Sequence, residues 1–187
     1  ANGSVRVEAT GSGTIEIVSA GGAGGIAVGI AGTITIQTIG NTIEALVDTC
    51  TVSASDTVLV LASWDGNISA DGGTGAVGGL AGIGGTLVTN TLANNVSAVI
   101  RKSTVGAGAN GSGVVIPVWS KATNLTGWED DRLAETTQPF RGVAVIADST
   151  ETITSTFATV SIGAVGLGVN KAVNLIVDVT DAGISDT

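Results

Sequence analysis

Large apolar residues alternate with small or hydroxylated ones along much of this chain. Ile26, Val28, Ile30, Ile34 and Ile36 occupy even positions, with Ala27, Gly29, Ala31, Thr33 and Thr35 between them. Successive side chains of a strand point to opposite faces, so the pattern predicts an extended strand of eleven residues, roughly 36 Å long. One face is large and apolar; the other is small or hydroxylated. The phase changes near Thr38, because Ile39, Ile43, Ala45 and Val47 occupy odd positions. A bend or bulge around Gly40-Asn41 is expected, since one extra residue returns the apolar set to the inner face. The second unit keeps the same feature at Ala93-Asn94.

That recurrence is part of a longer one. Shifted by 53 residues, the chain overlays itself without a gap: Val5-Arg6-Val7-Glu8-Ala9 falls on Val58-Leu59-Val60-Leu61-Ala62. Gly25, Gly29, Ile30, Gly32 and Thr33 fall on Gly78, Gly82, Ile83, Gly85 and Thr86. Thr38, Asn41, Ala45 and Val52 fall on Thr91, Asn94, Ala98 and Val105. A weaker third copy starts at Val143-Ala144-Val145, and places Asn174 on Asn90 and Asp181-Ala182-Gly183-Ile184 on Ser97-Ala98-Val99-Ile100. The units run 5–55, 58–107 and 143–187, within one repeat-built domain spanning 1–187. Repeats of this size bury their apolar faces by stacking on one another.

An insertion at 106–142 separates the second and third units. Val52 to Val58 is 6 residues, whereas Val105 to Val143 is 38, an excess of 32. The insertion holds both prolines, Trp119, Trp128 and Phe140, and a run of charge from Glu129 to Glu135 in which a short helix is expected. The two chain ends complement each other in repeat phase. Either the segment is cut from a long tandem array, or subunits stack end to end.

These features predict an all-β fold: a stacked β-solenoid of parallel β-helix type, each unit supplying about two coils, with the insertion as a lateral loop. A β-sandwich with long strands is the alternative. The succession Val-x-Val-x-Ala, a Gly-rich stretch such as Gly82-Ile83-Gly84-Gly85, then Asn94-Asn95-Val96-Ser97-Ala98-Val99-Ile100 resembles repeats of giant secreted bacterial β-strand-repeat proteins. These are the leukotoxin-like and filamentous-haemagglutinin-like adhesins. The resemblance implies a stalk, adhesin or fibre at the cell surface or outside the cell, and carries over no catalytic residue.

Composition narrows the chemistry. The 29 glycines, the wealth of Thr, Ser, Ala, Val and Ile, and only 2 Phe call for a core of thin, close layers. With 43% hydrophobic residues the chain is too apolar for disorder. A net charge of -9 with 7 Lys and Arg argues against nucleic acid as a partner. No segment reads as a transmembrane helix. Histidine is absent, so no Ser/His/Asp or Cys/His catalytic system can form, and Cys50, the lone cysteine, excludes an internal disulfide. An enzyme is not expected, and neither is a cofactor. Calcium is the exception left open, with oxygen ligands from Asp65 and Asn67, Asp130 and Asp131, or Asp178 and Asp181.

The expected function is therefore that of a structural subunit or segment of an extracellular bacterial fibre, sheath or adhesin, whose principal partner is itself. The alternative is a carbohydrate- or protein-binding module, in which Trp119, Trp128, Phe140, Asp130 and Asp131 form a surface for cell-surface glycans or protein. Among the Asn-x-Ser/Thr sequons, Asn110 and Asn124 are the candidate glycosylation sites, because they lie in the insertion.

Overall fold

The computed structural model describes residues 1–121 and 133–186, and of 119–121 and 133–135 the backbone alone. Among these residues the secondary structure is all β, with no helix. Two long strands, β1 (Val5–Gly25) and β2 (Val28–Asp48), lead into a short β3 (Thr51–Ala54). The same succession returns as β4 (Val58–Gly78), β5 (Ala81–Arg101) and β6 (Thr104–Ala107). A hairpin, β7 (Val114–Lys121) and β8 (Leu133–Phe140), follows, and then β9 (Val143–Ile162) and β10 (Val165–Ser185).

Equivalent strands lie side by side. The first sheet has the order β1-β4-β9, the second β10-β5-β2, and the third β3-β6; all are parallel. The register is the one the repeat predicts: Val5 pairs with Val58 and Val58 with Val143, and Asn41 and Asn94 pair as do Asn90 and Asn174. The first sheet packs on the second, layer by layer, β1 on β2, β4 on β5 and β9 on β10. One unit makes a single circuit of the sheets, against the two expected, because its strands are 21 residues long rather than the usual five or six.

Two further expectations are corrected. No bulge interrupts β2: Ile39, Gly40 and Asn41 pair in step with Leu92, Ala93 and Asn94. The apolar face of Ile30, Ile34 and Ile36 consequently points away from the first sheet into solvent, and Gly29, Ala31, Thr33 and Thr35 point inward. The cause is the narrowness of the fold at the β1–β2 turn. A Cβ on Gly25 would meet the carbonyl oxygen of Val28, and one on Gly82 would lie 2.5 Å from Ile162 O and 2.9 Å from Ala76 O. Backbone this close leaves no inner room for branched side chains, so they turn outward.

At the opposite end of the strands the sheets stand further apart and the interior is apolar. Val60, Ala62, Trp64 and Ile68 meet Leu92, Val96, Ala98 and Ile100. Trp64 is 4% exposed, and its ring lies over Gly11 and Gly13 of the neighbouring layer, where any Cβ would come within 3 Å of it. Polar side chains interrupt the interior within this core and between it and the tip. Asn90 Nδ2 donates to Ser155 Oγ at 2.9 Å and to Asn174 Oδ1 at 3.0 Å, and the Asn41 backbone N–H donates to Asn94 Oδ1 at 3.1 Å. These ladders of like residues tie one layer to the next.

Candidate functional site

Three regions carry the candidate sites: the open edges of the stack, the insertion, and the outer faces of the two long sheets.

In the middle layer every inward side chain has a layer on each side. At the end formed by β9 and β10 it has one. Leu92 and Ile100 of β5 are 0% and 2% exposed, whereas their register partners on β10, Ile176 and Ile184, are 49% and 66% exposed. The same positions thus change from core to surface solely through the absence of a neighbour. At the other end the backbone of residues 1–4 runs beside β3: the Ala1 amino group donates to Ser53 O at 2.5 Å, and Ser55 N–H donates to Ala1 O at 3.0 Å.

The insertion is a packed antiparallel hairpin at its base, not a free loop. Val114, Ile116 and Phe140 cover Leu59 and Ala144 on the outside of the first sheet, joined by Leu61, Val118 and Ile146. The repeat itself runs on through β6, where Gly106 and Ala107 pair with Ser53 and Ala54, and the hairpin departs after it. Phe140 is half-buried in this cluster, and its carbonyl accepts from Thr57 Oγ1 at 3.3 Å. It anchors the hairpin. Trp119 lies on β7 opposite Glu135 of β8. Leu133, Ala134 and Glu135 belong to β8, so the expected helix does not extend over them. Trp128, Asp130, Asp131 and Asn124 lie outside the described residues. Asn110 is exposed between β6 and β7, and its backbone N–H donates to Ser55 O at 3.1 Å.

Asp56, which sequence reasoning passed over, fastens the hairpin to the stack. Its carboxylate accepts from Gly113 N–H at 2.9 Å, Gly111 N–H at 3.1 Å and Ser4 Oγ at 3.2 Å. Burial alone would raise its pKa; the Gly113 and Gly111 amides, the Ser4 hydroxyl and the Arg141 charge outweigh that and hold it below the usual aspartate value. A lone Asp before Thr-Val gives no signal of such a role in the sequence.

The calcium candidates come apart in part. Asp65 and Asn67 share the outer face of β4, two residues apart, but Asp178 and Asp181 sit on opposite faces of β10 and cannot hold one ion together. Among the described residues no group of three or more His, Cys, Asp or Glu side chains is placed to hold a metal. None of their helices could cross a membrane, since they form none.

The outer faces of the two long sheets differ in chemistry. The first presents Ser12, Thr14 and Glu16 on β1, Asp65 and Asp71 on β4, and a run of threonines on β9, and turns apolar only near the β1–β2 turn, with Val18, Val77, Val160 and Ile162. The second presents Ile30, Ile34 and Ile36 on β2, Ile83 on β5, and Leu167 and Val169 on β10. Comparison with protein-family models, curated proteins and solved structures finds no match to this chain.

Proposed function

We propose that this chain is a β-solenoid and serves as a structural subunit or segment of an extracellular bacterial fibre, sheath or adhesin, assembling by end-to-end stacking of layers. The observation that carries the reading is the contrast between Leu92 and Ile100, sealed in the middle layer, and Ile176 and Ile184, bare in the last one. Burying those two side chains and pairing the β9 and β10 edges requires a further layer with the same two long strands. Another copy of the chain, or a continuing tandem array, supplies one in phase: its β1 would lie on β9 and its β2 on β10. Backbone pairing along strands of about 20 residues gives the contact its strength, and the matching ladders set its register. The resemblance to secreted β-strand-repeat adhesins supports an extracellular setting. The acidic, threonine-rich middle of the first sheet's outer face suits a surface that remains in water.

Concentrated protein is expected to form unbranched filaments by electron microscopy and to sediment as growing oligomers. The double variant Ile176→Lys/Ile184→Lys places charge in the bare end layer and is expected to stop growth. A stable monomer at high concentration would refute the reading.

A further inference from the structure

The outward apolar side of the second sheet has no place in axial stacking, because its side chains point across the stack. Its half nearest the β1–β2 turn is the most apolar. Ile34 is 72% exposed there, and Lys171 is the only charged residue among the described outward positions of 28–36, 81–89 and 165–173. Contiguous apolar surface of this kind marks a contact site on a soluble protein. We infer that two copies of the chain meet here, second sheet against second sheet, about a twofold axis.

Three observations select a second copy as the occupant. The first is area. Three strands of 21 residues make a face about 70 Å by 14 Å, or about 1,000 Å² per chain, against about 800 Å² per partner in a standard stable complex. The second is relief. Ile30, Ile83 and Leu167 form one ridge, Ile34 and Leu87 the next, ending in Lys171, and Gly32 and Gly85 the groove between them, which Val169 closes on β10. A second groove lies at Gly40 and Ala93, eight residues further along β2. Ridges with a glycine groove between them fit their own copy as interdigitating side chains, which a smooth ligand would not require. The third is charge. Glu16, Asp65 and Asp71 stand on the outside of the first sheet, so two acidic chains can join through their second sheets with that charge turned away. The polar positions Thr42, Glu44, Asn95 and Ser97 at the far end of the face form the rim.

This pairing is lateral and stands apart from the axial reading. The test compares the parent chain with Ile30→Glu/Ile34→Glu, the milder Ile30→Thr/Ile34→Thr, and Val18→Glu on the outer face of the first sheet, each checked for strand content by circular dichroism. Mass per unit length of filaments is expected to give two chains per ~14 Å of axis, three layers at the strand spacing, for the parent and Val18→Glu. The Ile30→Glu/Ile34→Glu variant is expected to give one, and the threonine pair a mixture. Where Ile176→Lys/Ile184→Lys blocks filaments, that chain is expected to sediment as a dimer, and adding Ile30→Glu/Ile34→Glu is expected to give a monomer. One chain per repeat in the parent, pairing that survives the glutamates, or binding of the unpaired parent to lipid vesicles through this face would overturn the inference.

Discussion

The two ends of the long strands are built on opposite plans. Near the third sheet, the interior takes the bulk: Trp64, Ile68, Leu92 and Ile100 meet inside, while Glu44 and Ser97 face out. Near the β1–β2 turn, glycine and threonine face in and Ile30, Ile34 and Ile36 face out. The chain passes from one plan to the other without a bulge, by changing which parity carries the large residues. Inter-sheet distance decides the plan. Where backbone atoms would touch a Cβ, only small residues fit inside, and apolar bulk placed on the other face becomes a surface. A single strand thus contributes a core at one end and a contact face at the other.

The largest effect is expected where the wide end loses its bulk. Trp64→Ala empties the space over Gly11 and Gly13 and is expected to cost about 3–5 kcal/mol in a denaturant titration. The narrow end should fail in the opposite way. Gly82→Ala adds a methyl against the backbone oxygens of Ile162 and Ala76, at a cost of about 1–3 kcal/mol. If Gly82→Ala proved neutral while Trp64→Ala remained costly, the narrowness of the tip would not be what turns the isoleucines outward.

The smallest effect is local and depends on pH. Asp56 holds the hairpin through a depressed pKa, so its contribution is fully present above the unfolded-state value of 3.8 and is lost as pH falls through the lower folded-state value. Hydrogen exchange at Gly111 and Gly113 should accelerate relative to the strands below about pH 4. In Asp56→Asn that acid-dependent step should vanish. An unchanged profile in the variant would assign the step to another carboxylate.

The repeat made the register legible to the residue, because self-similarity at a fixed offset is the register of a parallel stack. Val5, Val58 and Val143 line up as the overlay requires, across an insertion of unlike composition. Alternation also located the strands. It could not say which face of Ile26–Ile36 is inside, since period two is symmetric between faces. The missing information was the distance between sheets. The signal for it was present in Gly21-Gly22-Ala23-Gly24-Gly25, whose Gly21 and Gly25 stand against the backbone of Gly32 and Gly29 across the turn. Trp64 was hidden for a related reason: its partners Gly11 and Gly13 lie one unit away, and glycine in a strand announces a neighbour without naming it. Of the proposed aromatic surface, Phe140 belongs to the hairpin's packing, a role set by Leu59 and Ala144, which are distant in sequence.

Fibre diffraction from aligned assemblies tests stacking most directly. Layers that continue from copy to copy predict a meridional reflection near 4.8 Å and an axial chain repeat of about 14 Å. A strand spacing that appears only perpendicular to the fibre axis, or material that stays dispersed as single chains at every concentration, would contradict it.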